Sequence, residues 1–212
     1  QDIQGQVPGT EIFYSIQGES TFAVRPCVLV RLTGCQMRCS WCDTEYAFHG
    51  GAWMGLDEVM EKVAAFGCPL VEVTGGEPLL QPGCLPLLAA LCDAGYEVLL
   101  ETGGGLDIAP VDPRVRRILD IKCPASGEAE NNRWENLADL RATDEIKFVV
   151  ADRGDYDWAK GVIAERSLVV QADQPIEQIE VHLWIQQALR LVLPVDDGHA
   201  RRQVAQQAQR DD

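Results

Sequence analysis

"CVLVRLTGCQMRCSWCDT", residues 27–44, runs from an apolar, β-branched stretch into a loop that holds Cys35, Cys39 and Cys42. Residues 27–34 read as a strand closed by Gly34. Downstream, similar strands alternate with helical patterns. "LDEVMEKVAAFG" (56–67) spaces Val59, Val63 and Phe66 as a helix and stops at Gly67. "PLVEVTGG" (69–76) is a second strand, "CLPLLAALCDAG" (84–95) a helix and "YEVLLETGG" (96–104) a third strand. "RRILDIKC" (116–123) and "TDEIKFVVA" (143–151) are the fourth and fifth. "DYDWAKGVIAE" (155–165) is a helix and "SLVVQA" (167–172) a sixth strand. Continuous apolar strands between helices specify an α/β fold with a parallel sheet. The 212 residues are too few for a closed eight-stranded barrel. The expectation is an incomplete, open β/α barrel of about six parallel strands, forming one domain over residues 1–212.

Composition narrows the partners. Hydrophobic residues make up 46% and charged residues 24%, ordinary for a globular protein. The net charge of −15, from 33 acidic against 18 basic residues, argues against a nucleic-acid or anionic-membrane partner. There is no transmembrane-length apolar run and no secretory pattern in "QDIQGQVPGTEIFYSIQGES", so a cytoplasmic location is expected. In that reducing compartment the 8 cysteines are packing residues or metal ligands rather than disulfides.

Chemistry in parallel α/β folds gathers at the carboxyl ends of the strands. Here those ends carry Thr33-Gly34-Cys35, Thr74 to Pro78, Glu101-Thr102-Gly103, Asp120, Lys122 and Lys147. Three thiolates at C-x3-C-x2-C spacing are soft ligands suited to zinc or an iron–sulfur cluster. A [4Fe–4S] cubane held at three corners keeps one iron open for a small molecule. A fourth cysteine would instead close the site, and Cys123, at a strand end, is the candidate for that. Cys84 and Cys92 fit a helical packing pattern, and Cys27 and Cys68 have apolar neighbours.

The spacing, with Trp41 just before the third cysteine, resembles the radical S-adenosylmethionine superfamily. "TGGEP" (74–78) is a second pattern of that superfamily. The resemblance implies a [4Fe–4S] cluster on Cys35, Cys39 and Cys42 and S-adenosylmethionine on its open iron. It also implies cofactor contacts from Thr74, Gly75, Gly76 and Glu77. The glycines let backbone approach a ligand closely.

"EIFYSIQGES" (11–20), "RPCVLVRLTGC" (25–35) and "CDTEY" (42–46) narrow the likeness. With "LDIKCPASGE" and "DEIKFVVADRGDYDWA" they resemble the 7-carboxy-7-deazaguanine synthase family over residues 9–166. That resemblance implies a lyase of queuosine and 7-deazapurine biosynthesis, feeding tRNA modification. It would convert 6-carboxy-5,6,7,8-tetrahydropterin by hydrogen-atom abstraction and ring contraction, with loss of ammonia. Ile16, Gln17, Gly18, Arg31 and Thr74 would meet the substrate, Arg31 at its carboxylate. Thr44 matches the family's Mg2+ ligand. Glu101, Lys122 and Cys123 sit where further strands meet the S-adenosylmethionine. A flavodoxin-type electron donor and a homodimer are implied as well.

Other roles stay open for single residues. Gln17-Gly18 also reads as a turn, Arg31 as the partner of a structural carboxylate, and Asp43-Thr44 as a helix cap. Lys122 and Lys147 also read as surface charges, and Trp53, Trp134 and Trp158 as packing residues. His49 and His182 read as non-ligands. The segment 168–212 departs from the family pattern, and residues 176–193 have helical spacing. A glycyl-radical activase, which shares the cysteine spacing, is the alternative enzyme. A non-catalytic iron–sulfur or zinc module is the alternative outside enzymes.

Overall fold

The computed structural model describes residues 5–168 and 180–185. The sheet starts from the quoted strand, β2 (Pro26–Leu32), with β1 at Gln6–Ile16 and β3 at Ala52–Gly55. The parallel strands that follow are β4 (Leu70–Gly75), β5 (Glu97–Thr102), β6 (Arg116–Ile121), β7 (Glu145–Val150) and β8 (Glu180–Ile185). The eight strands lie in the order β3-β1-β2-β4-β5-β6-β7-β8. From β2 to β8 every neighbouring pair is parallel, so six parallel strands form an open sheet, as expected. β1 runs antiparallel to both β2 and β3.

Among the described residues three α-helices cover this sheet: α1 (Leu56–Ala64), α2 (Cys84–Asp93) and α3 (Arg153–Glu165). Each lies within three residues of the helical pattern at both ends. The crossovers from β5 to β6 and from β6 to β7 contain no α-helix; a loop makes the first, and loops with 3-10 turns make the second. The core divides in two. Val28, Val30, Val71, Val73, Leu88 and Leu100 pack in one cluster, and Ile121, Ile146, Phe148, Ala159 and Val162 in the other. Burying each large aliphatic chain stabilises the fold by about 1.5–3 kcal/mol. Trp134 and Trp158 join the second cluster as packing residues, but Trp53 is 57% exposed on β3.

Three strands depart from the sequence reading: β1, β8 and the four-residue β3, which pairs with β1 and has no counterpart in it. β1 carries no clean strand signature because Pro8 and Gly9 interrupt it, and its register shifts between Gly9 and Glu11. Six residues of β8 pair with β7, from Glu145 opposite Glu180 to Val150 opposite Ile185. The sixth parallel strand is therefore Glu180–Ile185, inside the segment whose spacing looks helical. An unpaired β7 edge would leave a row of backbone donors and acceptors, and that requirement outweighs the spacing. Ser167 and Leu168 are not in a strand, and residues 169–172 of the expected strand lie outside the described residues. The 186–212 segment also lies outside them.

Candidate active site

The carboxyl ends of β2, β4, β5, β6 and β7 open onto one cavity of about 440 Å³. Cys35, Cys39, Cys42 and Thr44 line it from the loop after β2. Thr74, Gly75, Gly76 and Glu77 line it from the end of β4, and Glu101 and Lys122 from β5 and the residue after β6. Gln17, Gly18 and Arg31 complete the set. Two expected residues fall outside the wall. Ile16 is 63% exposed, and Cys123 is 1% exposed within the second apolar cluster. Burial pushes the Cys123 thiol up to about 12. Packed in that cluster and absent from the cavity wall, the Cys123 thiol does not join the other three cysteines at a common site. All 8 cysteines are free.

Close backbone contact holds the cysteine loop against β4. A Cβ on Gly75 would come within 2.2 Å of the Leu32 carbonyl oxygen, and Gly75 has φ +156°. A Cβ on Gly76 would lie 2.3 Å from the Gly34 carbonyl oxygen and 2.8 Å from the Cys35 Cβ. Only glycine fits where two strand ends approach so closely. The Gly76 N–H donates to Leu32 O (3.1 Å) and the Glu77 N–H to Gly34 O (2.7 Å). Those donors are therefore engaged in the fold rather than free for a head group. The Glu77 carboxylate is engaged too, accepting from the Leu79 and Gly103 N–H groups and the Thr102 hydroxyl. It ties β5 to the turn after β4. The residues after β6 anchor the loop from the other side: the Ser40 N–H donates to Ser126 O (2.9 Å) and the Arg38 N–H to Glu128 (2.6 Å).

Single-residue alternatives also resolve. Thr44 precedes a 3-10 turn, Glu45–Ala47, but its side chain makes no capping hydrogen bond. Its hydroxyl lies 3.7 Å from the Cys42 Sγ instead. Arg31 lines the cavity and also pairs with a carboxylate, its Nε donating to Glu11 at 2.8 Å. Neither terminal nitrogen donates to a described residue. Lys147 is 5% exposed, so it is not a surface charge. Lys147 donates to Glu101 and Glu19 and lies 3.7 Å from Asp120, while Lys122 donates to Asp120 at 2.8 Å.

These charges perturb one another. Burial would lower Lys147, but Glu101, Asp120 and Glu19 together hold it well above its ordinary value. Burial works to raise Glu101, and Lys147 outweighs it, leaving Glu101 below the ordinary carboxylate range. Burial and then Glu101 raise Glu19. Burial, then Glu101, push Glu72 up to about 8. Glu72 was not singled out from sequence. The signal was present: a lone acid inside "LVEVTG", whose six residues are otherwise apolar or at the strand's end. Asp120 Oδ1 is buried without a hydrogen-bond partner among the described residues. An unsatisfied buried acceptor costs about 1–3 kcal/mol unless something meets it.

The radical SAM superfamily pattern matches residues 29–124. The 7-carboxy-7-deazaguanine synthase of Chlorobaculum tepidum is 50% identical over 194 residues, covering 88% of each chain. That of Koribacter versatilis is 50% identical over 163 residues, covering 75% of this chain and 71% of its own. The chain belongs to the 7-carboxy-7-deazaguanine synthase family. For the fold, the crystal structure of QueE from Escherichia coli matches with a TM-score of 0.69 at 21% identity, covering 99% of this chain and 93% of that one.

Members of this superfamily use a [4Fe–4S] cluster and S-adenosylmethionine. The site of this synthase-family chain fits both. Three soft donors on one loop share the cavity with the glycine turn of β4. Burial pushes the Cys35 and Cys39 thiols up, so thiolates there need a cation against them, which iron supplies. Asp120 Oδ1 keeps an acceptor without a described partner, whereas the Glu101 oxygens already accept from Lys147 and the Thr74 hydroxyl.

Proposed function

We propose that this chain converts 6-carboxy-5,6,7,8-tetrahydropterin to 7-carboxy-7-deazaguanine, losing one ammonia, as a 7-carboxy-7-deazaguanine synthase. The observation that carries this is the meeting of the three-cysteine loop with Gln17, Arg31 and Thr74 on one cavity. Identity of 50% to two synthases favours the pterin reaction over glycyl-radical activation.

In this reading Cys35, Cys39 and Cys42 hold the cluster. The turn Thr74 to Glu77, with Glu101 and Lys122, receives S-adenosylmethionine. When bound, these two groups supply the hydrogen-abstracting radical chemistry. The chain's own residues orient the substrate. Arg31 offers its two terminal nitrogens to the substrate carboxylate while Nε stays on Glu11. Gln17, Gly18 and Thr74 border the heterocycle, with Ile16 at its outer rim. Thr44 offers a hydroxyl for Mg2+, which prefers oxygen ligands and keeps several waters. Cys123 contributes through its backbone position only, since its thiol lies in the core. The buried strand ends shield the reacting centre from water. The reading further places the protein in the cytoplasm as a homodimer served by a flavodoxin-type donor. Among the described residues no helix is long and apolar enough to cross a membrane.

The test is an anaerobic assay of reconstituted protein with the pterin, S-adenosylmethionine, Mg2+ and reductant, read by mass spectrometry. The expected result is 7-carboxy-7-deazaguanine with S-adenosylmethionine regenerated. Cleavage of S-adenosylmethionine only with a glycyl-radical partner protein would overturn it in favour of the activase. No cleavage under any condition would point to a non-catalytic module.

A further inference from the structure

Glu72 lies at the centre of β4, 3% exposed, between β2 and β5, and its carboxyl is part of the cavity wall. A valine there would pack a parallel strand without cost. Among the described residues its carboxyl takes a hydrogen bond from one group, the neutral side-chain amide of Gln17. Glu101 and Glu19 differ, since both hold the Lys147 ammonium. A buried carboxyl with a single hydrogen-bond partner is costly in an apolar strand, and it borders a cavity where a ligand could supply the missing partners.

The Gln17 amide has a defined orientation. Its Oε1 accepts from the Glu19 N–H at 3.1 Å, which turns Nε2 toward Glu72. One Nε2 hydrogen remains, beside two carboxyl oxygens. The pair therefore offers one donor next to acceptors, on two residues that both line the cavity. The edge of a 2-amino-4-oxopyrimidine ring presents the complement: a carbonyl oxygen, a ring N–H and an exocyclic amino group.

Resting on the synthase reading above, we propose that Glu72 is a specificity-determining residue that accepts the ring N–H and the 2-amino group of the heterocycle, while Gln17 donates to its carbonyl. The pair then fixes which edge of the ring enters the cavity and how the opposite edge faces the cysteine loop. In the free protein Glu72 is neutral near pH 7, because burial and Glu101 raise it to about 8. Two donors arriving on its oxygens favour the ionised form, so ligand binding expels a proton. The charged groups acting on it are Glu101 from β5, Lys147 from β7 and Glu19 after β1, with the Cys27 thiol on β2 close by.

The experiment is titration calorimetry on the reconstituted holoenzyme with S-adenosylmethionine present. The probes are 7-carboxy-7-deazaguanine and its analogue lacking the 2-amino group, with wild type and Glu72→Gln. Expected are a ten- to hundredfold loss of affinity for the full ligand in Glu72→Gln and a much smaller loss for the analogue. In two buffers of different ionisation heat, wild type should release a proton on binding the full ligand and Glu72→Gln should not. Equal losses for both ligands, or affinity within twofold of wild type, overturn the proposal. If Glu72→Gln no longer binds S-adenosylmethionine, the wild-type comparison of the two ligands decides alone: equal affinities and no proton release overturn it. Wild type that binds neither ligand, with its cluster and S-adenosylmethionine in place, defeats the synthase reading and this proposal with it. The proposal alone fails when wild type binds the full ligand and Glu72→Gln matches it.

Discussion

Strands β6 and β7 carry a charged cluster at each end, and the two are built differently. At the amino end Arg117 and Asp144 are fully buried as an ion pair. Arg117 also donates to Ile108 O and Asp139 O, and Asp144 accepts from the backbone N–H groups of Arg117 and Arg141. That cluster is closed. At the carboxyl end Lys147, Lys122, Glu19, Glu101 and Asp120 share the cavity, yet Asp120 Oδ1 has no described partner and Glu72 meets only a neutral amide. One Arg–Asp pair with every neighbour satisfied serves the frame. A mismatched set of acids and amines around an open space serves a ligand.

The contrast breaks most sharply at the cysteine loop. Cys39→Ser should abolish product formation and the cluster's visible absorbance after reconstitution, while the thermal midpoint of the cluster-free protein moves little. At the closed cluster, Asp144→Ala leaves the Arg117 charge buried and alone, costing about 3–5 kcal/mol in denaturant unfolding. The double change Arg117→Met with Asp144→Leu should recover most of that, because no charge is left stranded. Lys147→Met at the open cluster should cost less stability, about 1–3 kcal/mol, since Glu101 and Glu19 can take up protons instead. It should nevertheless raise KM for S-adenosylmethionine or substrate, measured by steady-state assay. A recovery of KM in Lys147→Arg would show that charge alone matters there.

A further contrast concerns pH. The native Glu72 value of about 8 lies above its ordinary 4.5. The folded state therefore keeps a proton that the unfolded chain gives up. This favours folding fully below about pH 4.5 and is lost as pH rises toward 8. Wild type should lose up to about 1.4 kcal/mol per pH unit in that interval relative to Glu72→Gln, by denaturant melts at two pH values. A parallel pH dependence in the two proteins would show that Glu72 ionises freely in the folded state.

Much of the frame was legible because its signals are local. Continuous apolar runs mark β2, β4, β5, β6 and β7, and Gly67 and Gly95 close helical patterns with positive φ. The cysteine spacing and "TGGEP" pointed to the cavity because both follow strands directly. β1 escaped because Pro8 and Gly9 disguise it, and β8 because its pairing partner, not its own periodicity, makes it a strand. At the cavity, Lys147 read either as a strand-end group facing the site or as a surface charge, since its acidic partners lie on the loop after β1 and on β5 and β6.

Sequence alone determined that a parallel α/β sheet carries three thiols and a glycine turn on consecutive strand ends, because strand periodicity and ligand spacing are properties of short segments. Only the tertiary structure decided which charges meet. Glu72 against Gln17, Lys147 between Glu101 and Glu19, and Cys123 in the core all depend on packing that spans tens of residues. Burial and distance set the ionisation of those groups, and neither quantity exists until the strands are side by side.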